Sequence, residues 1–235
     1  MRWRESLIAR CCRRATRRSG LVLVVAAVLL AVCVRAQGGR QDDRFSPEPV
    51  EVRIGGSVYA IPRNYLVHVS RNALAKDTDV VVLLRALWPG LEPLSPDNAQ
   101  LWKRRQPERQ INIGLLIPPR DGYSHIRGLM ELRRTEPEHV EYGLTRYRFL
   151  HFDYFASSDP KQREPDGDPI TLRCQDFPES TKAHFEVERN CIVEYPLTDG
   201  VGLHYRFFMV NLEHWREIDA AVRSLVDSFR QREPS

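Results

Sequence analysis

His151 and Asp153 stand two residues apart in an aromatic run, Leu144 to Phe155, reading LTRYRFLHFDYF. On a strand, residues i and i+2 point to the same face. If the whole run is one strand, a carboxylate lies beside an imidazole. There it can orient the ring or raise its pKa, the arrangement a general base uses. No nucleophile or third ligand stands at a supporting spacing, and structural pairs of this kind are common. His151 and Asp153 are therefore the only catalytic candidates, and ordinary pairing is the favoured reading.

Other motifs fall short of chemistry. Gly122-Tyr123-Ser124-His125-Ile126-Arg127-Gly128 superficially resembles a nucleophile elbow, but its spacing is GxSxxxG and it follows a proline turn. Asp166-Gly167-Asp168 has the look of a calcium loop without the later ligands or the closing glutamate, so it reads as a tight acidic turn. There is no HExxH, no P-loop and no GxGxxG. His68, His125, His139, His184, His204 and His214 are scattered without metal-ligand spacing. The sequence implies no metal and no cofactor.

The compartment is set at the start. Seven arginines (Arg2, Arg4, Arg10, Arg13, Arg14, Arg17, Arg18) precede the unbroken apolar run Gly20 to Val34. A basic stretch before an apolar one is the pattern of a secretory signal or signal anchor. The run would make about 22 Å of helix, short of the roughly 30 Å hydrocarbon core, which favours a cleaved signal. The long basic segment and Arg35, which can snorkel to the headgroups, favour an uncleaved anchor. Residues 1–19 then form a cytoplasmic segment, residues 20–36 the anchor and residues 37–49 a polar tether. The membrane is met through residues 20–34, with cleavage before Gln37 as the alternative. Two sharper readings, lipidation at Cys33 and a twin-arginine signal at Thr16-Arg17-Arg18, fit their motifs poorly.

From Gln37 onward 27 cationic side chains face 30 carboxylates, a balance of −3. That leaves no basic surplus for a nucleic-acid backbone. Cysteine usage agrees with export. Cys11, Cys12 and Cys33 belong to the N-terminal segment, and only Cys174 and Cys191 lie beyond it. In an oxidising compartment this pair predicts a disulfide.

The elements that would position these residues can be read in order. Val50 to Ile54 and Ser57 to Ile61 flank Gly55-Gly56, a hairpin signal. Tyr65 to Val69 reads as extended. Val80 to Trp88, with three consecutive valines, predicts a buried strand. A proline-punctuated loop follows, pinned by Trp88 and Leu91. Ser95 is placed to cap a short helix running to Arg105. Ile111 to Ile117 is a strand, and Ser124 to Arg134 has helical spacing. Ser158 to Pro169 carries no large apolar residue and reads as a solvated loop.

Ile170 to Cys174 and Cys191 to Leu197 are short strands. Val201, Leu203, Tyr205, Phe207 and Met209 alternate along one strand face. Asn211 then stands as the cap of an amphipathic helix carrying Leu212, Trp215, Ile218, Val222, Leu225, Val226 and Phe229. The fold class is α+β. Residues 50–235 form one exported domain, a largely antiparallel sheet with the C-terminal helix packed on it, preceded by a signal-anchor helix.

The functional expectation is a non-enzymatic envelope protein of a bacterial inner membrane. It is single-pass with its domain in the periplasm, or soluble there after cleavage. The domain would bind another protein, as an immunity protein or an accessory subunit of an envelope assembly. The alternative is a periplasmic hydrolase whose site forms only in three dimensions, and a lipid or small-ligand carrier is a minor third reading.

Overall fold

In the computed structural model the described residues are 43–71, 80–103, 107–118, 138–139, 142–149, 152–175, 189–197 and 200–231. Residues 1–42 form one unit by themselves, and Asp43–Ser235 form the other. The expected signal-anchor helix and the Ser124 to Arg134 helix lie outside the described residues. Among the described residues no helix is long and apolar enough to cross a membrane.

The second unit is α+β with a large antiparallel sheet. Strands β1 (Pro49–Ile54) and β2 (Ser57–Pro62) form a hairpin of their own. Gly55 takes a φ of 57° in the connection, a left-handed conformation that glycine adopts without strain. Residues just before β1 are tied in as well, since Arg63 N–H donates to the Glu48 carbonyl and Asn64 N–H to that of Ser46, each at 3.0 Å. The main sheet takes β3 (Leu66–Arg71), β4 (Val80–Leu87), β5 (Gln110–Leu116), β6 (Glu138–His139), β7 (Leu144–Phe149), β8 (Phe152–Ser157), β9 (Thr171–Gln175), β10 (Asn190–Pro196) and β11 (Gly202–Phe208). Their spatial order is β3-β4-β5-β11-β10-β9-β8-β7-β6, and every neighbouring pair is antiparallel.

Among the described residues two α-helices accompany the strands: α1 (Ala99–Lys103), between β4 and β5, and α2 (Trp215–Phe229), after β11. Helix α2 lies on one face of the sheet. Trp215, Ile218, Val222, Val226 and Phe229 are buried along its inner side, facing Val193, Tyr195, Leu203, Tyr205 and Phe207. The β1–β2 hairpin closes the same layer. Val52, Ile54, Tyr59 and Ile61 are buried, the Tyr65 ring stands 5.3 Å from that of Phe229, and Gln231 N–H donates to the Val58 carbonyl at 2.8 Å. The core thus lies between this layer and one sheet face, with the opposite face pointing away from α2.

Several local expectations are corrected. The Leu144 to Phe155 run is two antiparallel strands, β7 and β8, rather than one, and the strand propensity on both sides gave no sign of the division. The strand β4 is buried on one face only, because Val82, Leu84 and Ala86 point inward while Val81 and Leu83 are exposed. The short helix begins later than Ser95. Ser95 does serve as a cap to the turn that leads into it, accepting at Oγ from Asn98 N–H at 3.3 Å while Ser95 N–H donates to Asn98 Oδ1 at 2.8 Å, and α1 starts at Ala99. Asn211 is no cap. A 3-10 stretch, Met209–His214, precedes α2, and Asn211 Nδ2 donates to the Glu108 carbonyl at 3.0 Å. The Ser158 to Pro169 loop is partly packed: Glu164 is buried, and the Arg163 carbonyl accepts from Arg223 Nη2 at 3.1 Å.

Candidate binding surface

Of the two catalytic candidates, His151 lies outside the described residues. Asp153 sits in β8, directly opposite Cys174 in register and on the side of the sheet facing α2. Its carboxylate is buried and accepts from Arg146 Nη2 at 2.6 Å. This is a charge-assisted pair, the kind that fixes a strand pair rather than one presented to a substrate. Ser124 and His125 lie outside the described residues. The Asp166-Gly167-Asp168 segment folds on itself: Asp168 N–H donates to Asp166 Oδ1 at 3.2 Å, and Glu164 N–H to the Asp168 carbonyl at 2.8 Å. Among the described residues no cluster of three His, Cys, Asp or Glu could hold a metal ion. Cys174 and Cys191 are joined by a disulfide between directly opposed positions of β9 and β10.

A second buried carboxylate, absent from the candidates the sequence offers, ties the terminal helix to the sheet. Asp219 sits on the inner side of α2, 3% exposed, between Ile218 and Val222. Its Oδ1 accepts from Tyr195 Oη at 2.7 Å and from Tyr205 Oη at 2.9 Å. Its Oδ2 forms an ion pair with Arg223 Nε at 2.8 Å, and the Arg223 guanidinium lies 4.6 Å over the Tyr195 ring. Burial, reinforced by the Asp219 carboxylate, pushes both tyrosines well above the ordinary value of 10.0. Strands β10 and β11 are thereby bolted to α2. A signal existed in the sequence, since Asp219 stands four residues after Trp215 and three before Val222, squarely on the apolar stripe. Asp219 and both tyrosines are buried, while Arg223 reaches partly to solvent, so the cluster ties the helix to the sheet from within.

Among the described residues the far face of the sheet combines exposed apolar and charged side chains. By strand alternation it carries Val81, Leu83 and Arg85 from β4, Asn112 and Gly114 from β5, His204 and Arg206 from β11, Ile192 and Glu194 from β10, and Arg173 from β9. Val81 and Leu83 are 39% and 40% exposed, unusual for large apolar side chains in mid-strand, and Arg206 is exposed between them and the β10 residues. His204 Nδ1 and Glu194 Oε1 pair across β10 and β11 at 2.7 Å. At one end of the face α1 intervenes: Leu87, which follows Arg85 by two, is fully buried, and Gln110 Nε2 donates to the Leu101 carbonyl at 3.4 Å. Mixed apolar and charged side chains on a broad open sheet are the composition of a protein-contact surface.

Two solved structures share this fold. One is Smlt3025, an immunity protein of the Stenotrophomonas maltophilia type IV secretion system, at a TM-score of 0.55 and 17% identity, covering 80% of this chain and 95% of that one. The other is the Neisseria meningitidis iron-regulated outer membrane lipoprotein FrpD, at a TM-score of 0.50 and 14% identity, covering 79% of this chain and 96% of that one. No protein-family model matches the chain, and no curated protein matches it in sequence. At these identities the likeness is one of fold. Both neighbours align over nearly their whole length, so the likeness extends over a domain and not a single motif.

Proposed function

We propose that this chain is an envelope protein whose α+β domain binds another protein, in the manner of an immunity protein that neutralises a toxin. The observation that carries the reading is the fold it has in common with an immunity protein of a secretion system, aligned over 80% of the chain. The second neighbour, an outer membrane lipoprotein, also belongs to the cell envelope. The arginine-rich segment and apolar run of residues 1–36 supply the export or anchoring such a location requires. The open sheet face supplies the contact surface.

The test is a pull-down from membranes of the native host with a C-terminally tagged chain, read by mass spectrometry. One stoichiometric protein partner is expected. Produced in the envelope of a test strain, that partner should slow growth, and co-production of this chain should restore it. Failure to recover any partner with a folded, oxidised chain overturns the binding reading. A partner that is harmless when produced alone overturns the immunity role and leaves an accessory-subunit role in its place.

A further inference from the structure

Strand register lays Arg85, Asn112, Arg206, Ile192 and Arg173 side by side across the far face, one from each of β4, β5, β11, β10 and β9. The arginines fall on every second strand. Neighbouring strands lie about 4.8 Å apart, so successive arginines stand about 10 Å apart. No carboxylate belongs to this row. The nearest acid in register, Glu194, sits one row along and is engaged with His204.

The three guanidiniums are held differently, and Arg206 is the exposed one. Arg85 Nε donates to Asn112 Oδ1 at 2.9 Å and the group lies 5.9 Å over the Trp102 ring. Arg173 lies 5.6 Å over the Phe152 ring, with its Nε buried, so only the outer end of its guanidinium is placed to meet a partner. The side chain of Arg206 makes no ion pair among the described residues. Partial burial, and then the proximity of Arg206, lower the pKa of Arg85. Like charges held this close favour an incoming counter-charge.

We propose that this arginine row is the docking surface for an acidic protein partner, whose carboxylates pair with Arg85, Arg206 and Arg173 while its apolar side chains cover Val81 and Leu83. The inference rests on the protein-binding reading above and names the partner's chemistry. A protein is favoured over a phosphate surface because the exposed Val81 and Leu83 flank the row and need apolar cover. Planar guanidiniums match carboxylates bidentately, and arginine is enriched where interfaces concentrate their binding energy. The spacing suits an acidic helix laid across the strands: at about 1.5 Å per residue, acids seven residues apart repeat every 10.5 Å or so.

The test uses the full chain with a photo-crosslinking amino acid at position 83, captured from native-host membranes. It is run in parallel with Arg206→Glu, with the triple variant Arg85→Glu/Arg206→Glu/Arg173→Glu, and with Arg53→Glu on the separate hairpin as a control. Phosphatidylglycerol vesicles serve as the anionic lipid probe. We expect the crosslink to land on an acidic segment of a stoichiometric partner. Arg206→Glu should weaken the complex at least tenfold, the triple variant further, and Arg53→Glu not at all; added salt should weaken the wild-type complex. Arg206→Glu removes no ion pair among the described residues, so it decides the matter even if the triple variant fails to fold. Undiminished capture by Arg206→Glu, or a crosslink to a neutral or basic segment, overturns the acidic docking surface and leaves the protein-binding reading standing. No captured partner overturns both. Sedimentation of the wild type, but not of Arg206→Glu, with the vesicles reassigns the row to lipid and overturns the inference.

Discussion

At the scale of single residues, Asp219 governs how the helix is held. A buried carboxylate is tolerated only when its charge is matched and its lone pairs are used, and here two phenols and a guanidinium do this. Asp219→Ala leaves both tyrosine hydroxyls without their acceptor and Arg223 without its counter-ion. It should cost about 3–5 kcal/mol, read as a lowered urea midpoint. The tyrosines themselves make stability depend on pH. Their folded values lie above the unfolded value of 10.0, so the folded state holds protons that the unfolded state has released. Their contribution is complete below pH 10 and is lost as pH rises beyond it, by about 1.4 kcal/mol per unit for each tyrosine. Urea midpoints at pH 8, 10 and 11 should be flat between the first two and fall at the third. Tyr205→Phe should be less stable at pH 8 and fall less steeply above pH 10.

Among the elements, two joints are exposed to simple tests. The disulfide links β9 to β10 across a sequence separation of 17, and constraining an unfolded loop of that size is worth about 3 kcal/mol in the chain-entropy model. Cys174→Ser/Cys191→Ser should lose stability of that order, seen as a lower thermal midpoint, with the sheet retained in circular dichroism. The second joint is the turn before β7. Trp215 Nε1 donates to the Tyr142 carbonyl at 3.0 Å, and Gly143 has a φ of 70° with the Arg216 guanidinium packed where a Cβ would stand. Gly143→Ala should therefore cost about 1–2 kcal/mol, measured by denaturant unfolding. Most strands were legible as elements because alternation and glycine turns are local signals: Gly55-Gly56 and the Val201–Phe207 alternation are examples. What failed was also local. The Leu144 to Phe155 run has strand propensity throughout, so nothing in it marked the division into β7 and β8. Asn211 had the composition of a cap, but a long-range bond to Glu108 claims its side chain.

On the scale of the whole molecule, the arginine row could not have been read from the sequence. Arg85, Arg173 and Arg206 are spread over more than a hundred positions, and only the order β4-β5-β11-β10-β9 brings them into one line. Alternation could place each arginine on the polar face of its own strand, but register across five strands is a property of the fold. The α+β class was legible for the opposite reason, since hairpin signals and one strongly amphipathic helix need no long-range knowledge. The same architecture predicts where the folding unit ends. The buried core, from Val52 to Phe229, lies wholly within Asp43–Ser235, and that unit has 193 residues, ample for a stable core. A fragment of those residues, made in an oxidising compartment, should unfold in one cooperative transition. Its midpoint should match that of the full chain in detergent. A fragment that is molten, or one whose midpoint falls well below the full chain's, would mean that residues 1–42 contribute to the stability of the domain. Matching midpoints would free the binding experiments from residues 1–42 and allow the arginine row to be assayed on the fragment.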